Sequence, residues 1–173
     1  DLTFKNWRGM KDSGGRRIKR RIIITLSSVK FIDSDLISKL KSLTLLEDYL
    51  KRKEVELKKI NMSRNEGDIN RRTLTNLGCF RIYIKKYLDN HPKINKDMTL
   101  LVRQMPINQF GLPIEIYTFT NTTDWNEYEN IQSDIFDHIL ASIRFFELEL
   151  YQEPSSNDIK SKILEFANSK DAN

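Results

Sequence analysis

Three residues of chemically useful type lie close together near position 135 of this 173-residue sequence. Asp134 and His138 are one helical turn apart and Asp137 is adjacent to the histidine, so two carboxylates and an imidazole share one neighbourhood. Such spacing can hold a metal ion. No second histidine or cysteine lies nearby, which favours the alternative of a hydrogen-bonded histidine on a solvated helix face. We therefore predict no metal site.

Cys79 is the only cysteine, and nucleophilic catalysis would require a histidine brought to it by the fold. His91 is three turns further along the same predicted helix and cannot reach Cys79 locally. A lone cysteine on an apolar helical stripe is more often a small core residue. The sequence also has no Ser-His-Asp arrangement, phosphate-binding loop, dinucleotide fingerprint or paired-cysteine motif. It thus predicts no enzyme, no catalytic or cofactor-binding residues and no cofactor.

A basic cluster, Arg-Arg-Ile-Lys-Arg-Arg, occupies residues 16–21. Residues 1–30 carry nine Lys and Arg against two Asp, a local charge of +7, whereas the whole chain carries +5. The cluster could contact phosphates of nucleic acid or of anionic lipid, or it could be a solvated strand edge blunted by charge. No aromatic residues interleave it to stack bases, so no nucleic-acid partner is expected.

The composition, with 39% apolar and 31% charged residues, is that of a folded, soluble intracellular domain. A single cysteine excludes an internal disulfide and gives no sign of an oxidising compartment. No apolar run approaches the roughly 20 residues that span a bilayer, and no signal-peptide pattern opens the chain. Because the sequence starts at Asp1 rather than at a methionine, we expect it to be a piece of a longer protein.

Hydrophobic periodicity places these residues on a short series of helices and strands. A strand is predicted from Arg16, with Ile18, Ile22, Ile24 and Leu26 on one face. A helix capped by Asp33 or Ser34 follows, with leucines at helical spacing to about Leu50. The remaining predicted elements are a helix over 75–90, strands over 98–104 and 112–120, a helix over 124–146 capped by Asp124, a strand over 148–152, and a loosely attached last helix.

This order predicts an α+β fold of the split β-α-β (ferredoxin-like) type, an antiparallel sheet with helices packed on one face. The predicted organisation has three parts. Residues 1–15 are a connector from an upstream membrane or β-domain region, and residues 16–152 form an α/β domain with a helical insertion at about 33–72. Residues 153–173 are a C-terminal tail.

Six stretches resemble one known family: SGGRRIKR (13–20), TNLGCF (75–80), MTLLVRQ (98–104), GLPIEIY (111–117), TDW (123–125) and NIQSDIFDH (130–138). Together they resemble the carboxy-terminal region of the small-conductance mechanosensitive ion channel family, in its miniconductance branch. The resemblance runs in order from about Phe4 to Gln152. Any one stretch would be weak evidence, but their shared order is specific.

The resemblance implies a channel in the bacterial inner membrane, opened by membrane tension, that releases solutes on hypo-osmotic shock. This chain would be the cytoplasmic assembly and vestibule domain of one subunit, not itself conducting, joined to the membrane by helices that are not in this chain. Family members assemble as rings, typically of seven, so the expected partners are further copies of the same subunit in a homo-oligomer, a heptamer. We expect the helix over 124–146 to supply core and exposed positions of strands 98–104 and 112–120 to meet a neighbouring copy.

Two alternatives of other classes stay open at this point. The first is a soluble binding module that contacts anionic lipid or nucleic acid through the basic amino-terminal strand. The second is a metal-dependent enzyme centred on Asp134, Asp137 and His138.

Overall fold

The structure is a computed structural model that describes residues 14–62, 64, 65, 67 and 71–170. Most of the predicted connector, residues 1–13, lies outside these described residues, as does part of the predicted insertion. The elements are β1 (Arg17–Ile24), α1 (Ser34–Lys41), α2 (Thr44–Asn61), α3 (Asn76–Asp89), β2 (Leu101–Gln104), β3 (Leu112–Phe119), α4 (Trp125–Ser142) and α5 (Ser156–Lys170), with 3₁₀ turns at Leu26–Ser28 and Ile143–Phe146. The predicted α+β class is confirmed.

The three strands form one antiparallel sheet in the order β1-β3-β2. The segment 148–151 lies on the free side of β1, where the Thr25 N–H donates to the Glu149 carbonyl at 2.9 Å and the Tyr151 N–H to the Ile23 carbonyl at 2.8 Å. The spatial order, with this segment first, is that of a split β-α-β fold.

The predicted strand over 148–152 is wrong as a full strand, because this segment makes only an isolated bridge between Ile24 and Leu150. Two features limit the strand pairing of this segment. β1 ends at Ile24, and the chain enters the segment through Glu147, which has the left-handed backbone angle φ 56°. Leu26, predicted on the buried face of β1, is 45% exposed because the chain has already turned into the first 3₁₀ turn.

The single helix predicted from Asp33 to about Leu50 is two helices, broken at Ser42 and Leu43. Asp33 caps α1 as predicted, accepting a hydrogen bond from the Leu36 N–H at 2.8 Å. At the end of α1 the Ser42 hydroxyl donates to the Lys39 carbonyl at 2.6 Å, and Leu43 adopts an extended backbone, φ −82° and ψ 114°. Each helix still buries its own leucine pair: Leu36 and Leu40, then Leu46 and Leu50.

The core lies between the sheet and the helices α3 and α4. β1 contributes Ile18, Ile22 and Ile24, and β3 contributes Leu112, Ile114 and Ile116 from the same side of the sheet. The helices add the following buried residues: Leu77, Phe80, Ile84 and Leu88 from α3, and Ile131, Ile135, Phe136 and Ile139 from α4. Leu140, predicted to widen the apolar stripe of α4, is instead 43% exposed.

A fully buried asparagine, Asn76, fixes the start of α3 against two other segments. Its Oδ1 accepts from the Lys30 N–H at 3.0 Å and from the Leu77 N–H at 2.9 Å. Its Nδ2 donates to the Ser28 carbonyl at 2.9 Å and to the Phe146 carbonyl at 3.1 Å. One amide therefore joins the loop after β1, the amino end of α3 and the turn after α4.

The last helix, α5, leaves its larger apolar residues exposed, with Ile159 at 51%, Ile163 at 62% and Phe166 at 64%. This agrees with the prediction of a loosely attached helix. Among the helices that the structure describes, none combines the length and apolar character needed to cross a membrane.

Candidate functional site

Among the residues that the structure describes, helices cover one face of the sheet and leave the other face, here called the open face, uncovered. Strand alternation assigns residues to the two faces, since side chains of directly paired residues lie on the same side. In the observed register Arg17 pairs with Phe119, Lys19 with Tyr117 and Arg21 with Glu115. The residues on this open face are Arg17, Lys19, Arg21 and Ile23 of β1, Leu101 and Arg103 of β2, and Pro113, Glu115, Tyr117 and Phe119 of β3.

A carboxylate between two guanidinium groups occupies the centre of the open face. Glu115 Oε2 lies 3.0 Å from Arg21 Nε, and Glu115 Oε1 lies 3.1 Å from Arg103 Nε and 2.7 Å from Arg103 Nη2. The Glu115 side chain is 0% exposed, whereas those of Arg21 and Arg103 are 52% and 51% exposed. The two arginines, rather than the protein interior, therefore shield the carboxylate from water.

The two arginines also set the ionisation of this group. Hydrogen bonds from Arg103, and then from Arg21, hold the pKa of Glu115 below its ordinary value of 4.5. The carboxylate is thus charged at neutral pH, and one ion triad joins all three strands across the open face.

The open face is positively charged and partly apolar. Its four cations are Arg17, Lys19, Arg21 and Arg103, and Glu115 is its one acidic residue, so its net charge is +3. The Arg17 guanidinium carbon lies 5.9 Å from the centre of the Tyr117 ring. Leu101 is 43% exposed. A charged, half-exposed surface that contains apolar side chains is suited to contact another macromolecule.

The basic cluster at 16–21 is divided between the two sides of β1. The Arg16 guanidinium lies 4.2 Å from the centre of the Trp125 ring, and Arg20 lies 3.9 Å from that of Phe136, so these two arginines cover aromatic residues of α4. Only Arg17, Lys19 and Arg21 belong to the open face. The cluster itself contains no aromatic residues, but two of its arginines contact aromatic rings of α4.

The structure places His138 in a hydrogen-bonded aromatic stack. Its Nε2 lies 2.8 Å from the Tyr83 hydroxyl, and its ring stacks on that of Tyr87 with centroids 4.2 Å apart. Asp134 and Asp137 lie on the exposed side of α4. Within the described part of the chain no three His, Cys, Asp or Glu side chains are grouped as a metal site requires. The geometry matches the hydrogen-bonded histidine of the alternative interpretation.

Cys79 is 1% exposed in the apolar core, and burial raises the pKa of its thiol to about 11. His91 is occupied elsewhere: its Nδ1 accepts from the Lys93 N–H at 3.1 Å, and its ring makes an edge contact with Tyr87. This environment disfavours the thiolate, which is the nucleophilic form of cysteine.

Sequence reasoning missed Glu115, although it lies within one of the stretches that carry the family resemblance. The available signal was a single acidic residue in an otherwise apolar strand, GLPIEIY at 111–117. Its partners are 94 and 12 residues away in sequence. Identifying them requires the register of three strands, which periodicity alone does not supply.

Comparison with known proteins gives two findings. Residues 81–149 match the family model described as the C-terminal domain of the mechanosensitive ion channel MscS. The chain is also similar to the low conductance mechanosensitive channel YnaI of Escherichia coli (strain K12), with 34% identity over 61 residues. That match covers 35% of this chain and 18% of the relative, so it spans less than a fifth of the relative's length.

The matched segment 81–149 contains most of α3 and all of β2, β3 and α4. It therefore includes Arg103 and Glu115 of the open face. The predicted resemblance to the mechanosensitive channel family is confirmed over this segment, and the branch of the family stays a prediction.

Proposed function

We propose that this chain is the cytoplasmic assembly and vestibule domain of a mechanosensitive channel subunit, and that its open face contacts a neighbouring copy of the same chain. The family match supports a channel-associated domain. The observation that carries the assembly role is the ion triad of Arg21, Glu115 and Arg103, which lies at the centre of the open face.

An assembly role fits the chemistry of this face better than catalysis does. The face has a fixed, fully ionised cluster and exposed apolar side chains. Charge on such a surface selects partners and orients them more than it adds affinity. In this proposal the subunits form a homo-oligomer, a heptameric ring, in which the domain encloses a chamber below the pore and conducts no ions itself. The pore and tension sensor belong to membrane helices outside this chain, and the ring lies on the cytoplasmic side of the bacterial inner membrane.

The test is a patch recording under graded suction on the full-length protein in liposomes. Current steps that follow pressure, and that vanish from protein-free liposomes, are the expected result. Solute release on hypo-osmotic shock is tested separately, by survival of cells that lack their own tension-gated channels and express this protein. Silent patches with inserted, intact protein would contradict the channel proposal.

A second candidate function, binding of an anionic lipid surface or nucleic acid through β1, is favoured by the +3 charge of the open face. It predicts a steep salt dependence, with a log–log slope of about −0.9 for each neutralised phosphate of duplex DNA. Part of the basicity is already used within the chain, since Arg21 contacts Glu115 and Arg16 and Arg20 cover aromatic rings. Binding measured between low and physiological salt decides between the two candidates.

A further inference from the structure

The charges of α4 are of one sign. From Trp125 to Ser142 the helix carries two glutamates and two aspartates and no lysine or arginine, a formal charge of −4. Three of these, Glu127, Asp134 and Asp137, lie at positions that 3.6 residues per turn brings within about a quarter of the helix circumference. All three residues are exposed. We call these three residues the acidic ridge.

The acidic ridge is scarcely neutralised within the chain. Glu127 lies 3.7 Å from the Lys93 ammonium group, a weak and exposed pair. Among the described residues Asp134 and Asp137 take part in no salt bridge. The ridge is therefore a negative surface available to a cationic partner.

The open face and the acidic ridge belong to different layers of the domain, so they cannot meet within one molecule. α4 lies beneath β1, as shown by the Tyr128 hydroxyl, which donates to the Arg17 carbonyl at 2.6 Å. Its buried side, including Ile135 and Ile139, packs towards the core, and the ridge points away from it. The open face looks outward from the opposite layer. Contact between the two surfaces therefore requires two copies.

The two surfaces match in charge and in length. The open face carries +3, and the three acidic residues of the ridge carry −3. From Arg17 to Arg21 the cations of β1 extend over four residues, about 13 Å at 3.3 Å per residue. From Glu127 to Asp137 the ridge extends over ten residues, about 15 Å at 1.5 Å per residue. Each surface also has a half-exposed leucine, Leu101 on β2 and Leu140 on α4, each 43% exposed.

We propose that the acidic ridge of one copy docks on the open face of the next, a head-to-tail contact between unlike surfaces. This inference rests on the proposed homo-oligomer and names the two surfaces that build it. Contacts of this kind close into rings when the rotation between copies allows. The symmetric alternatives, open face on open face or ridge on ridge, bring like charges together and are disfavoured.

The first experiment is a charge swap in the full-length protein in membranes, with the assembled fraction read by native mass after extraction. Lys19→Glu and Asp134→Lys should each weaken association by about tenfold, because each places like charges opposite one another. The double variant, which exchanges the charges, should restore most of the association that each single variant loses. Lys59→Glu, an exposed reversal on α2, is the matched control and should leave assembly unchanged.

The second experiment tests the geometry with cysteines and a short bis-maleimide. Lys19→Cys protein co-expressed with Asp134→Cys protein should give cross-linked pairs, and the double variant should give a ladder of higher species. Neither single variant should cross-link to itself, because the two surfaces are unlike. The native Cys79 does not interfere, since it is buried and the pKa of its thiol is about 11.

The outcomes separate this inference from the proposed function. Wild-type protein that assembles while both charge reversals are harmless and no cross-link forms would overturn the head-to-tail contact and leave the homo-oligomer standing. Self-cross-linking of a single variant would replace it with a symmetric contact. If Lys19→Glu alone abolishes sedimentation with phosphatidylserine vesicles and assembly is unaffected, the partner is lipid and the inference fails. Wild-type protein that stays monomeric in the membrane would overturn the proposed oligomer itself.

Discussion

Replacing Asn76 with alanine should destabilise the domain more than any other loss of a single amide in its core. Asn76 is 0% exposed and serves three separate segments with four hydrogen bonds. The alanine variant removes the partner of the Lys30 N–H and of the Ser28 and Phe146 carbonyls. Each lost bond costs about 1 kcal/mol, and more where the group left behind stays buried. The expected loss in free energy of unfolding is therefore about 3–5 kcal/mol.

The assay is urea unfolding of the purified chain, followed by circular dichroism at neutral pH. The matched control is Asn90→Ala, which removes an amide at the other end of α3, where Asn90 Nδ2 donates to the Lys86 carbonyl at 2.7 Å on the exposed surface. The control should change the free energy of unfolding by no more than about 0.5 kcal/mol, as expected of a surface site. If Asn76→Ala lowers the free energy of unfolding by less than about 1 kcal/mol, with an unchanged m-value, the four hydrogen bonds of Asn76 do not stabilise the fold as argued.

A second variant, Asn76→Asp, tests the reasoning without changing size. It keeps the acceptor towards Lys30 and replaces the donor towards Ser28 and Phe146 with a carboxylate facing two carbonyls. Burial and the nearby carbonyls should raise the pKa of this new carboxyl above that of the unfolded chain. The loss in free energy of unfolding relative to wild type should then be greatest at pH 7 and should shrink as pH falls towards 4. A penalty independent of pH would show that the donors do not matter.

Three further predictions concern other sites. Hydrogen bonds from Arg103 and Arg21 hold the pKa of Glu115 below 4.5, so its stabilising effect is fully present above that pH. The free-energy difference between wild type and Glu115→Gln, measured by urea unfolding from pH 7 to pH 3, should begin to shrink as pH falls below about 4.5 and should be lost only as pH falls through the lower pKa of the folded protein. Cys79 has a pKa of about 11, so roughly one molecule in a thousand carries the thiolate at pH 8, and a disulfide reagent should label it stoichiometrically in urea and hardly at all in the folded protein. Gly111 has φ 140° and a Cβ there would overlap the Ile24 carbonyl oxygen, so Gly111→Ala should lower the free energy of unfolding by about 2 kcal/mol or more. The control is Gly14→Ala, at φ 71° with open space around it, which should lower the free energy of unfolding by less. Equal losses in the two variants would refute the overlap.

Local signals predicted most of the elements. Asp33, Thr75 and Asp124 each accept a hydrogen bond from the backbone N–H three residues on, so the amino ends of α1, α3 and α4 are set by side chains next to them in sequence. The strand pair β2–β3 followed from its short connection, and the long apolar stripe of α4 followed from its spacing. These features depend on residues within a few positions of one another.

What failed depended on distant contacts. The break at Leu43 was missed because leucines continue at helical spacing on both sides of it, whereas Leu43 itself adopts an extended backbone between α1 and α2. The alternating residues at 148–152 read as a strand, but their pairing is limited by where β1 ends. The ion triad on the open face was not predicted, because Arg21, Arg103 and Glu115 come together only once β1, β2 and β3 are in register.

The triad also explains how one surface can be stable both alone and in contact with a partner. Each guanidinium has five N–H donors, and within the described residues Arg21 and Arg103 together spend three hydrogen bonds on Glu115. Most of their donors are therefore still available to carboxylates from another molecule, and both side chains are half exposed. A partner's acidic ridge need not displace Glu115, because the open face keeps a net charge of +3 with that residue ionised. Removing the Glu115 charge should consequently lower the stability of the fold while leaving the attraction for an acidic partner intact or increased, which separates the folding role of the triad from the role in assembly proposed for it.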